Sequence, residues 1–247
     1  MNIEHLYEKF QNPGNAYRGK PFWAWNGELE LGELKRQADV FQKMGFGGYF
    51  MHSRTGLATE YLGEEWFRLI NEVADYAQEQ GMEAWLYDED RWPSGSGGGL
   101  ATKEERYRMK YMQLSVVPAE QFAWQDNTLA AFTGVVEGVT VRDAKRLEKN
   151  QKPEGTVLHF TRETMPEHPV YNGNTYVDTL MPEAVEHFLE LTHERYAKEC
   201  GDRLGTSIKG IFTDEPHRGA LMDIFGSTQA IEEGNWRMPY TDGLFER

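Results

Sequence analysis

Apolar residues recur along the chain in two alternating rhythms. Pro21-Phe-Trp-Ala-Trp25 is a short apolar-aromatic run that reads as a strand, and Leu31, Leu34, Ala38 and Phe41 follow at helical spacing before Gly45. The same order returns with Gly48-Tyr-Phe-Met-His52 as a strand and Trp66, Ile70, Val73 and Ala77 on one face of a helix that stops at Gly81. A third strand, Glu83-Ala-Trp-Leu-Tyr87, comes directly after that stop. Later, Pro182 opens a helix with Val185, Phe188, Leu189 and Tyr196 on its apolar side, Gly201 closes it, and Ile208–Thr213 reads as a fourth strand. Strands alternating with helices at this interval predict a parallel sheet.

The rhythm breaks at Pro93-Ser-Gly-Ser-Gly-Gly-Gly99. From about Tyr111 to Arg162 the pattern is β-like, with strands expected over 114–117, 131–136, 139–141 and 156–160. The expected fold class is therefore α/β: a partial (β/α)8 TIM-type barrel of about four βα units with an inserted β-rich subdomain. Residues 1–102 would hold barrel units one to three, 103–170 the insert, and 171–247 the fourth unit with a truncated continuation. A complete barrel typically takes ~250 residues, and Met238-Pro-Tyr-Thr-Asp-Gly-Leu-Phe-Glu-Arg247 reads as a helix start cut short. The chain is accordingly expected to be the amino-terminal part of a longer protein, or an unusual half barrel.

Composition narrows the partners. The 247 residues are 39% hydrophobic and 27% charged, enough for a full core, and the formal net charge of -14 repels nucleic-acid backbones and anionic membranes. Neither is expected as a partner. Aromatic residues make up 13% of the chain, and each either fills the core or stacks on the apolar face of a sugar ring. Cys200 is the single cysteine, which excludes an intrachain disulfide or thiolate cluster. Met1-Asn-Ile-Glu-His-Leu-Tyr-Glu lacks the basic-then-apolar pattern of a signal peptide, and no run of about 18 apolar residues occurs, so the chain reads as soluble and cytoplasmic.

Each predicted strand of the βα rhythm runs into a polar cluster, as barrel strands do where they build a catalytic face. Asp214-Glu215-Pro216 is the strongest catalytic candidate: glycoside cleavage needs a carboxylic acid that keeps its proton, and a neighbouring carboxylate in a desolvated mouth favours that. The alternative is a helix cap or solvated loop pair. Asp88-Glu89-Asp90 offers carboxylates to sugar hydroxyls or to a hard cation such as Ca2+, with at most two on one side, or else to nearby basic groups. His52 and Arg54 alternate so that both can meet one ligand, or else His52 is a structural histidine bonded to a barrel carboxylate; Trp25 with Asn26 offers a stacking ring and an amide, although Trp23 or Trp25 must also pack into the core. His217 lies just past Glu215; the other histidines show no metal-ligand spacing. The Gly-rich loop lacks the Gly-Lys-Ser/Thr ending of a phosphate loop, and reads as bare backbone approaching a ligand or as a hinge.

Taken together, residues 21–27, 47–57, 65–67, 85–90, Trp92-Pro-Ser-Gly95 and 213–216 resemble the amino-terminal half of bacterial glycoside hydrolases similar to the family 106 α-L-rhamnosidases. The resemblance implies a (β/α)8 catalytic domain, a carbohydrate ligand, inversion by two carboxylates, no required cofactor and room for a structural Ca2+. It assigns Glu215 as general acid beside Asp214, with Trp25, Asn26, His52, Arg54, Asp88, Asp90, Trp92 and His217 around the sugar. The later strands and the second carboxylate are not in the chain, so turnover is expected to be very weak or absent, and a homodimer or a missing carboxyl-terminal half is expected to close the sheet. Two rival expectations are a non-catalytic carbohydrate-binding fragment and a metal-dependent barrel enzyme of another class.

Overall fold

The computed structural model describes residues 3–138, 140–216 and 235–245. The described residues divide into two compact units, one built from residues up to Ala101 and from Glu186–Pro216, the other from Thr102–Val185 and residues 235–245.

In the first unit, strands β1 (Phe22–Gly27), β2 (Gly48–Leu57), β3 (Glu83–Tyr87) and β8 (Ile208–Phe212) form one parallel sheet in the order β1-β2-β3-β8. Helices α2 (Leu31–Lys43) and α3 (Glu64–Glu79) connect the first three, and a short α1 (Ile3–Gln11) precedes them. The approach to β8 runs through α4 (Pro182–Leu189), a π-helical turn at Glu190–Glu194 and α5 (Arg195–Cys200). Alternation along the strands sorts the side chains into two faces. Trp23, Trp25, Tyr49, Met51, Ala84 and Leu86 join Leu34, Ala38, Trp66, Ile70 and Val73 in the main core. On the opposite face Phe22 meets Phe50, His52, Tyr87 and Phe212, with ring centroids 5.0 to 6.2 Å apart. Gly48 has no alternative, because a Cβ there would lie 2.1 Å from the Glu83 carbonyl oxygen. Cys200 is buried at the end of α5, and burial pushes its thiol up to about 11, so it is inert packing.

The second unit is an antiparallel sheet ordered β6-β5-β7-β4-β9, from β4 (Lys110–Pro118), β5 (Thr128–Glu137), β6 (Thr140–Arg146), β7 (Thr156–Thr164) and β9 (Asn235–Tyr240). The β-like stretch is thus a sheet, with wider membership than its sequence boundaries of 103–170. Residues 171–185 belong to it through Tyr171, Tyr176, Val177 and Ala184, which pack with Tyr107, Met109 and Tyr111. The expectation of a helix starting at Met238 is corrected, since Met238 pairs with Met112 in β9. Among the described residues β9 is an edge strand of this sheet, where Pro239 is tolerated. No described helix is long and apolar enough to cross a membrane.

Candidate functional site

Parallel pairing places the carboxyl ends of β1, β2, β3 and β8 on one side of the sheet. Trp25 does not join a ligand site there: it is 1% exposed, and its ring packs against Trp23 and Trp66 in the core, so its assignment as a stacking platform is corrected. Asn26, one residue on, is exposed.

Within β2, His52 is buried and its ring stacks on Tyr87 with centroids 3.4 Å apart. Burial pushes its pKa down to about 4, so at neutral pH the imidazole is uncharged and its Nδ1–H donates to the Ser53 carbonyl. Arg54 is exposed, and its positive charge acts on both His52 and Tyr87.

β3 runs into three buried carboxylates that point apart. Asp88 accepts hydrogen bonds from the hydroxyls of Ser94 and Thr213, the latter at 2.7 Å, and lies 3.4 Å from Nε2 of His193. Burial raises its pKa, while the two hydroxyl donors and His193 act in the opposite direction. Asp90 accepts from Ser53 Oγ at 2.7 Å and pairs with Arg91 at 2.7 Å. Glu89 turns away from both and accepts backbone N–H bonds from Asp90, Gly95, Ser96, Gly97 and Gly98. Burial pushes Glu89 up to about 7 against the pull of those amides. The acidic triplet therefore does not form the oxygen cage that Ca2+ requires, and no group of three or more His, Cys, Asp or Glu among the described residues is placed to hold a metal. The Gly-rich loop is not bare backbone facing a ligand either, because its amides are taken up by Glu89.

After β8 the chain turns through Asp214 and Glu215. Tyr87 Oη donates to Asp214 Oδ2 at 2.7 Å, and burial first, then this bond, hold the phenol above its ordinary range. Ser94 ties the turn down twice, with its N–H on the Asp214 carbonyl and its Oγ accepting from the Asp214 amide, each at 2.9 Å. Glu215 has a φ of +42°, a conformation that costs a non-glycine residue ~1–3 kcal/mol and is met most at functional sites. Its carboxylate is exposed and accepts from Trp92 Nε1 at 3.0 Å. Trp92 itself is 44% exposed.

No family model matches the chain, and no curated protein does. Among solved structures it is similar to a rhamnosidase from Novosphingobium sp. PP1Y, with a TM-score of 0.37 and 20% identity. That match covers 53% of this chain and 12% of the other.

The structure thus brings His52, Tyr87, Asp88, Trp92, Asp214 and Glu215 into one hydrogen-bonded and stacked network, while Asp90 sits behind it on Ser53. The desolvated mouth expected around Glu215 is not supplied by the described residues, and His217 lies outside them. An open hollow of about 630 Å3 beside the first βα connections is lined by Glu28, Glu30, Thr59, Glu60, Glu65 and Arg68 among others, and by none of the residues assigned to the sugar site from the sequence. Two contributors were missed altogether. Tyr87 reads in the sequence as the last core residue of a strand, and His193 has no spacing that marks it. His193 reaches Asp88 from the π-helical turn, a widening that frequently marks functional positions but leaves no trace in apolar periodicity.

Proposed function

We propose that the first unit is the leading half of a (β/α)8-type sheet and that the carboxyl ends of its strands bind a carbohydrate. The proposed reaction is inverting hydrolysis of an α-L-rhamnoside or related glycoside, with Glu215 donating the proton. The sequential strand order β1-β2-β3-β8, all parallel, supports the barrel part of the reading. The observation that carries the rest is the Trp92–Glu215 pair: an exposed carboxylate held by an indole N–H, in a left-handed turn after a strand end, beside a partly exposed aromatic side chain. Trp92 would stack on the sugar, and exposed Asn26 and Arg54 would meet hydroxyls. Asp214, held by Tyr87 and Ser94, fixes the turn. His52, Asp88 and Asp90 act from below as neutral or internally bonded supports.

Inversion also needs a carboxylate roughly 6.5–9.5 Å from the donor to activate water. Binding and turnover are therefore tested separately, by calorimetric titration with free sugars and by an aryl-glycoside panel that includes an α-L-rhamnoside. Saturable binding weakened by Trp92→Ala and Arg54→Ala supports the carbohydrate site. Turnover in which Glu215→Gln loses far more on a natural glycoside than on an activated leaving group supports the acid role. A protein that neither binds nor cleaves any of the panel overturns the reading. Binding without turnover favours the second reading, a non-catalytic carbohydrate-binding protein, to which the solvent exposure of Glu215 points.

A further inference from the structure

The loop from Pro93 to Gly99 contains no strand and no helix, yet its amides are ordered around one acceptor. Oε2 of Glu89 receives the N–H groups of Gly95, Ser96 and Gly97 at 3.0, 2.8 and 2.7 Å, and Oε1 receives those of Asp90 and Gly98. Glu89 is 1% exposed, and among the described residues no Lys, Arg or His forms an ion pair with it, so backbone N–H groups surround its carboxylate, and with burial raising its pKa to about 7 the charged form that they solvate prevails above neutral pH. Gly95, Gly97, Gly98 and Gly99 all have positive φ, turn conformations open to glycine that let the amides of residues 95–98 converge on one anion. Such a nest ordinarily receives an external anion. Here the chain fills it with its own side chain.

We propose that Glu89 is a positioning residue of the candidate site: it is the internal anion around which residues 95–98 fold, and through that loop it holds Trp92 on Glu215 and Ser94 on Asp214. The linkage is short. Ser94 directly precedes the first amide of the nest, bonds Asp88 through its hydroxyl, and both donates to and accepts from the Asp214 backbone. Trp92 lies two residues earlier and donates to Glu215. Releasing the nest frees one end of the segment that carries both contacts. The nest itself is independent of the carbohydrate reading; only the consequence for Glu215 rests on it.

Two variants separate an anion anchor from ordinary packing. Glu89→Gln keeps the shape, but its NH2 replaces an oxygen that receives at least two N–H donors, so donor faces donor. Glu89→Ala deletes a methylene carbon and the carboxylate, the atoms that acetate supplies. Amide hydrogen exchange on the full chain reads the result. In the unaltered protein, amides 95–98 are expected to exchange on the order of 10- to 100-fold more slowly than a solvated loop, as hydrogen bonds to a charged group imply. Both variants should lose that protection, and acetate should restore it saturably in Glu89→Ala and not in Glu89→Gln. If the protein turns over a glycoside, Glu89→Ala should lower kcat about 100-fold with little change in KM, and acetate should recover it. Retained protection in Glu89→Gln overturns the proposal, as does a folded Glu89→Ala that ignores acetate. Should neither variant fold, rapid exchange at 95–98 in the unaltered protein overturns it, and slow exchange upholds it. Exchange needs no substrate, so a failure to bind sugar counts against the carbohydrate reading and leaves the nest to be judged by its own protection.

Discussion

Trp92 and Glu215, 123 residues apart in the chain, meet as donor and acceptor with 3.0 Å between Nε1 and Oε2. One comes from the loop after β3 and the other from the turn after β8, neighbouring strands of the sheet. The bond orients the carboxylate, and Trp92 remains 44% exposed.

Trp92→Phe should therefore separate these roles. It keeps an aromatic face and removes the N–H donor. Because Trp92 is 44% exposed, stability should change by less than about 1 kcal/mol, while sugar affinity or turnover should fall roughly tenfold if orientation of Glu215 matters. Melting curves and titration calorimetry on the same preparations check both halves. A large drop in melting temperature would mean that the ring is a packing element.

Neighbouring positions on β1 give a second contrast. Trp25→Ala should cost about 3–5 kcal/mol, since it empties a fully buried site between Trp23 and Trp66. Asn26→Ala should stay within about 0.5 kcal/mol and act, if at all, on ligand affinity. Urea denaturation of the two variants is sufficient, and a stable Trp25→Ala protein would contradict the core placement.

The imidazole of His52 should titrate near pH 4, and an NMR titration showing an ordinary value near 6.5 would refute its burial. Between those two values the unfolded chain binds more protons than the folded one, so stability attributable to His52 rises with pH and is lost as pH falls from about 6.5 toward 4. Glu89 works the other way: with its value raised from 4.5 to about 7, the folded state holds the extra proton, and stability falls as pH rises through that window. His52→Gln should consequently show less destabilisation between pH 7 and pH 5 than the unaltered protein, measured by denaturant midpoints at each pH.

Among the described residues, β1 and β8 are edge strands of the parallel sheet, and Phe22 is 53% exposed on the face that carries Phe50 and Phe212. Open edges beside exposed aromatic surface favour association with another chain. Sedimentation velocity at increasing protein concentration should show self-association, reduced by Phe22→Ser. A strictly monomeric protein across the micromolar range would remove this expectation.

Much of the parallel unit is legible in the chain itself. The positions of β1, β2, β3, β8 and their helices follow from period-2 and period-3.6 spacing of apolar residues, because each element must bury one stripe or face whatever its neighbours are. The same rule says that Trp23 and Trp25 share a face. Which face the helices cover is a matter of how the connections cross the sheet, and that placed Trp25 in the core and left Phe22 outside it. Sequence also shows that residues 95–99 can adopt unusual backbone angles, since glycine has no Cβ to forbid them. It does not show that Glu89, six to nine positions upstream, is what the amides of residues 95–98 face.

The longer links were decided by tertiary structure alone. The contact of His193 with Asp88 depends on a local widening of a helix, and the pairing of Met238 with Met112 on strand register between distant segments. Trp92 and Glu215 meet only because β3 and β8 lie side by side. Periodicity records how strongly one element needs burial. It carries no term for the partner that supplies it, and hydrogen bonds across more than a hundred residues exist only once the strands have been aligned.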